Sequence, residues 1–182
     1  MKIDKSNTND PTLSVDLSEA TQAVKENRFE DALTLFEIIL KDHPNNIDAL
    51  YLASVSSRYL KKFDDSQKYI ENLLLSAPDM GRAYQELGHI NRDMGNDEKA
   101  VINYRQACEL NPALLASWNM LNQYFIKNKN QPAADHAQQQ IKKLESLPPS
   151  LLYIDQILNE GRLGLAERQC RAFLKKNPTH TY

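Results

Sequence analysis

Four histidines (His43, His89, His136, His180) and two cysteines (Cys108, Cys170) are the side chains here best suited to hold a metal or act as a nucleophile. Their spacing argues against both uses. No two histidines stand four apart on a helix face, and none neighbours a cysteine at metal-ligand spacing. His89 reads as a hydrogen-bonded surface histidine, and the cysteines as small packing residues of helices. There is no Gly-x-Ser-x-Gly elbow and no phosphate loop. Five glycines are too few for Gly-rich loops or for a turn-rich all-β fold. The acid pairs Asp64-Asp65 and Asp97-Glu98 fall where a helix begins, and there they complement its dipole. The sequence thus predicts no catalytic constellation, no metal and no cofactor.

Composition narrows the class further. The chain has 182 residues, 41% of them hydrophobic, with a net charge of −2. A pI near 6.1 gives no basic footprint for nucleic acid. Two cysteines cannot make a disulfide framework, which suits a reducing, cytoplasmic setting. Residues 1–12 are polar, lack the apolar core of a secretory signal, and read as a flexible leader. No window reaches the roughly 18 apolar residues of a membrane helix, so membrane insertion is not expected. Charge is mildly uneven: residues 1–50 carry ten acids and five bases, residues 147–182 three acids and five bases. Without interleaved aromatics, the basic side of the last helix reads as a solvated face.

The elements that position these side chains emerge from the prolines. Pro44, Pro78 and Pro112 are spaced by 34 residues, and Pro148 and Pro178 fall near the next steps. Proline cannot continue a helix, so it marks where one helix pair stops. With proline at position 32, repeats run 13–46, 47–80, 81–114, 115–146 and 147–180, leaving 181–182 as the start of a sixth. Small residues recur where two helix backbones approach: Ala20, Ser54 and Gly88 on helix A; Ala32, Ser66, Ala100, Ala134 and Ala166 on helix B. Phe36, Tyr84, Tyr104, Trp118 and Phe125 are expected to fill the space between repeats. On these residues the chain resembles the tetratricopeptide-repeat family, in which each period is a helix–turn–helix. The fold class it implies is all-α: a right-handed superhelical array of about five repeats.

A narrower resemblance rests on particular strings. They are Arg82-Ala83-Tyr84-Gln85-Glu86-Leu87-Gly88-His89, Leu110 to Trp118, Leu147-Pro148-Pro149, Gly161-Arg162-Leu163 with Ala166-Glu167, and Cys170 to Leu174 with Asn177-Pro178-Thr179-His180. Together they are similar to the N-terminal repeat region of bacterial proteins in which such repeats precede a sulfotransferase domain. That resemblance implies a C-terminal catalytic domain beyond these residues and gives no catalytic residue here.

Binding residues follow from helix geometry. If positions 4, 7, 8 and 11 of helix A form the core stripe, the opposite positions line the concave groove. That places Tyr51, Val55, Arg58 and Tyr59 in the second repeat. The third contributes Arg82, Gln85, Glu86, His89 and Arg92, and the fourth Asn119 and Gln123. Leu17, Val24, Leu52, Met120 and Ile126 fall on the same side. Aromatic anchors and directional polar groups in this order suit a protein or extended peptide. Equally, Tyr51, Val55 and Tyr59 could pack between neighbouring A helices. A carboxylate clamp of the chaperone-binding kind is not expected, because Tyr51, Leu52 and Val55 stand where its polar groups are needed.

Two irregularities remain. Repeat 4 lacks glycine at its turn, and Leu147-Pro148-Pro149 shortens the period by two, which predicts a longer fourth B helix and an altered joint at 147–150. The last B helix lacks a covering helix. That suggests either a longer chain or self-association through uncovered ends. The expected function is a non-catalytic binding scaffold, the alternatives being an independent adaptor or an oligomerisation module.

Overall fold

The computed structural model describes residues 11–177, with side chains from Leu17 onward. Most of the expected leader and the start of a sixth repeat lie outside the described residues; Pro11 and Thr12 already belong to the first helix. Ten helices and no strand occur among the described residues: α1 (Pro11–Lys25), α2 (Phe29–Asp42), α3 (Ile47–Tyr59), α4 (Phe63–Ser76), α5 (Gly81–Asp93), α6 (Asp97–Leu110), α7 (Leu115–Lys127), α8 (Gln131–Glu145), α9 (Pro149–Asn159) and α10 (Leu163–Lys176). The chain is an all-α repeat array of five helix pairs. Every odd helix ends at position 13 of its 34-residue register, and every even helix begins at position 17.

The turn inside each pair explains this regularity. Position 15 has positive φ in all five repeats: Asn27 (58°), Lys61 (60°), Gly95 (80°), Lys129 (56°) and Gly161 (70°). A left-handed residue just past a helix end lets the chain reverse while its amides satisfy the orphan carbonyls of the last turn. Each of these residues donates its N–H to the carbonyl of position 12, at 2.9–3.0 Å. The next residue reaches back to position 11. Repeats 1, 2 and 4 impose this conformation on Asn or Lys, although only glycine adopts it without cost.

The pairs pack as the small residues demand. All eight expected close-approach residues are buried. Ser54 and Ser66 exchange hydrogen bonds, each hydroxyl donating to the other's main-chain oxygen at 2.8–2.9 Å. Gly88 lies beneath Tyr104, so close that an added Cβ would meet the ring at 2.5 Å. Phe36, Tyr104 and Phe125 are buried as expected, whereas Tyr84 is half-buried. Trp118 packs between the third and fourth repeats, against the cluster of Ala100, Val101, Tyr104, Cys108, Leu121 and Phe125. It lies edge-on to His136 of α8 and donates its indole N–H to the Pro112 carbonyl at 2.9 Å.

Contacts divide the chain into two compact units, Met1–Pro78 and Asp79–Tyr182. In the first, α2 packs on both α1 and α3, and α3 packs on α4. Its core joins Phe36, Leu33 and Ile39 to Ala20, Ala23 and Ala49. In the second, α6 bridges α5 and α7, α7 packs on α8, and α9 packs on α10. Here Tyr104, Val101 and Cys108 meet Leu121 and Phe125. The fourth B helix, α8, is one residue longer than the other B helices, with Pro132 in its first turn. By contrast α9 begins only at position 3 and has 11 residues, because Pro148-Pro149 prevents an earlier start.

Candidate functional site

The expected binding residues separate into two groups, one in each unit. In the first unit Tyr51 is buried, and Arg58 is only 9% exposed. The Arg58 guanidinium lies over the Tyr59 ring, 4.6 Å from its centroid. Tyr59 in turn stacks on Phe29, the rings 4.3 Å apart and parallel to 1°. Tyr59 stays 55% exposed, so this stack of cation and two rings presents one aromatic edge to solvent. Val55, one helical turn before Tyr59, is half-buried. Leu17, Val24 and Leu52 pack against the core of the unit. The reason is geometric: in an array helix A contacts its own partner and a neighbouring A helix, so part of its far face is consumed by packing.

In the second unit the same effect is sharper. The Ser117 hydroxyl on α7 donates to Gln85 Oε1 on α5 at 3.0 Å. Further along, Arg92 Nη1 reaches Met120 Sδ at 3.3 Å, while its other nitrogens hold Asp93. These contacts fix α5 beside α7 and spend Gln85 on the joint. Glu86 is buried. His89 turns toward α6, its Nδ1 2.8 Å from the Tyr104 hydroxyl. Asn119 donates to the Leu115 carbonyl of its own helix at 3.1 Å. Arg82 lies 3.5 Å from Glu160 of the fifth repeat.

What remains exposed collects at the C-terminal ends of α5 and α7. Arg92 and Gln123 are exposed polar groups. Ile126 at 60% and Met94 at 43% are exposed apolar groups beside them. Lys127 is exposed as well, but it donates to Asp97 at 2.8 Å, and this bond with the carboxylate's charge raises the lysine's pKa above its ordinary value. Its charge is therefore locally cancelled. Such a patch can supply apolar area and a guanidinium. It offers no nucleophile poised beside a base. Among the described residues, no group of three or more His, Cys, Asp and Glu is placed to hold a metal ion. Burial, with the Glu109 charge second, pushes the Cys108 thiol up to about 12, which makes it an inert packing group.

Sequence reasoning missed Asn111, Gln156 and Glu160. Asn111 and Gln156 make hydrogen bonds to main chain across 45 and 43 residues, separations unrelated to the 34-residue period.

Two segments of the chain, 17–57 and 81–114, match tetratricopeptide-repeat family models. This chain carries tetratricopeptide repeats. Its repeat array is similar to several solved structures of MamA. A double mutant, MamA RS-1 ArsTM, is 21% identical with a TM-score of 0.63, over 76% of this chain and 77% of its own. MamA from residue 41 to its end, from Desulfovibrio magneticus RS-1, is 20% identical with a TM-score of 0.63, covering 73% of this chain and 75% of its own. A further crystal structure of MamA covers 94% of this chain and 96% of its own, at 16% identity and a TM-score of 0.61. At such identities the likeness shows the fold. No curated protein sequence matches the chain. No helix among the described residues is long and apolar enough to cross a membrane.

Proposed function

We propose that the chain is a non-catalytic scaffold that binds a protein or extended peptide on its helix A faces. The observation that supports this most directly is the paired α5–α7 edge. Hydrogen bonds hold the two A helices side by side, while Arg92, Gln123, Ile126 and Met94 stay exposed at one end. Apolar area beside a guanidinium and an amide is what a peptide groove uses for anchoring and register. The exposed edge of the Tyr59 stack is the corresponding anchor of the first unit. Tyr51 is buried, so its removal would test folding more than binding.

The test is a peptide array probed with the purified chain, followed by affinity measurement on the best peptide. Arg92→Ala with Gln123→Ala should weaken binding at least tenfold while leaving the helical circular-dichroism signal intact. Undiminished binding by that variant would overturn the assignment to this edge.

The strings similar to repeat regions that precede sulfotransferase domains favour a second reading, in which the array presents substrates to an attached catalytic domain. Reading the parent open reading frame past Tyr182 tests it directly. Sedimentation at rising concentration tests self-association of the array.

A further inference from the structure

The fifth repeat is tied directly to the third by polar contacts within five residues of sequence. Asn111 is fully buried at the end of α6. It donates its amide to the main-chain oxygen of Gln156 at 3.0 Å. Gln156 returns a bond from Nε2 to the main-chain oxygen of Ala113 at 2.9 Å. One helical turn later, Glu160 places its carboxylate 3.5 Å from Arg82 Nε, with the Glu160 side chain 1% exposed.

Each contact has a chemical meaning. The last carbonyls of a helix lack intrahelical partners and carry partial negative charge. The Gln156 carbonyl, in the last turn of α9, accepts the Glu160 N–H at 3.2 Å and takes a second donor from Asn111. An anion at that end is unfavourable to the helix dipole, yet Glu160 is the residue that follows α9. Its burial requires a cation, which Arg82 provides. Asn111 and the Ala113 carbonyl read main chain and an amide, and Arg82 reads an acid.

The hairpin so held has a narrow apolar anchor: on α9 only Ile154 and Ile157 are buried. Among the described residues of α10, Ala166 alone is buried. The joint before α9 is where the 34-residue period loses two residues.

We propose that Arg82, Asn111 and the Ala113 carbonyl form a recognition site for an acidic C-terminal helix turn, which the chain fills with its own Gln156–Glu160. The α9–α10 hairpin is then a self-docked arm, and a partner helix ending in an acid displaces it. The displacement rests on the peptide-binding reading above; the docking does not.

Amide hydrogen exchange on the full chain tests the docking. Glu160→Gln should speed exchange across α9 and α10 tenfold or more and leave α5 to α7 unchanged. Gln156→Ala is the second variant and should act in the same direction. Unchanged exchange in both variants, or an equal rise throughout α5 to α8, would overturn the proposal. The site itself is probed with a synthetic peptide of residues 149–162, read through Trp118, the one tryptophan of the chain, whose indole holds the Pro112 carbonyl. The peptide should bind the Glu160→Gln chain at least tenfold more tightly than the wild-type chain. The same peptide carrying Gln at 160 should bind neither. Equal binding to both chains, or to neither while the arm is open, would remove the site. The latter outcome leaves the α5–α7 edge to be judged by its own variant.

Discussion

The left-handed residue at position 15 offers a test of the fold with a calculable outcome. Lys61 and Lys129 adopt φ near 60° with exposed side chains, and their equivalents Gly95 and Gly161 adopt φ of 80° and 70°. A left-handed conformation costs an L residue roughly 1–2 kcal/mol. Glycine removes that cost but loses about 0.5–1 kcal/mol more backbone entropy on folding. Lys61→Gly and Lys129→Gly should therefore each stabilise their unit by about 0.5–1 kcal/mol. With a urea m-value of about 2 kcal/mol/M, the midpoint should rise by about 0.3–0.5 M. Because the lysines sit in different units, each substitution should act on the transition of its own unit. Lys61→Ala is the control: it removes the same side chain and keeps the backbone cost, so its midpoint should not rise. A fall in midpoint for both glycine variants, or an equal rise for the alanine control, would refute the reasoning.

Other outcomes follow from the packing and the titrations. Gly88→Ala should destabilise by about 1–3 kcal/mol, since its Cβ would lie 2.5 Å from the Tyr104 ring; thermal or urea unfolding reads this. Phe36→Ala and Tyr104→Ala should each cost about 3–5 kcal/mol; an unchanged midpoint in both would sink the register. A thiol reagent at pH 8 should label Cys170, which is half-buried, and spare buried Cys108 until urea unfolds the chain. The Cys108 thiol is raised from 9.0 to about 12, chiefly by burial. The unfolded thiol loses its proton first, so the stability from burying Cys108 is intact below 9.0 and drains away as pH climbs toward 12. Tyr69, raised from 10.0 to about 12 by burial and then by Glu37, adds loss in the upper part of that window. Urea midpoints from pH 8 to 11 measure both.

The fold was legible because its determinants are local and periodic. Prolines set the repeat length, and small residues such as Ser54 and Ala100 recur at fixed positions of that period. The turn was legible only in part. Glycine at 95 and 161 announces a left-handed residue, whereas Lys61 and Lys129 do not, because there the array imposes the conformation against local preference. The candidate site was less legible still. Helical periodicity identifies the face away from a helix's own partner, but it cannot say how much of that face a neighbouring A helix consumes. Gln85 meets Ser117, and Arg92 meets Met120, so part of the polar lining that spacing assigns to the third and fourth repeats is spent on packing. Arg82 was placed on the binding side by its register, but Glu160 follows no period and could not be paired with it from sequence.

Positions 8 and 24 meet within the helix pairs of the first, third and fourth repeats. Ala20 accompanies Phe36, Gly88 lies under Tyr104, and Asn122 donates to Gln138 at 3.0 Å. A small residue is matched to a large one, or an amide to an amide, separately in each of these hairpins. An A helix borrowed from one repeat would therefore collide with, or leave a void beside, the B helix of another. The heritable and transplantable piece of this protein is the whole hairpin. Duplication, recombination or engineering that cuts at the position 15 turn should yield chimeras that fold poorly, while cuts between hairpins preserve each matched pair.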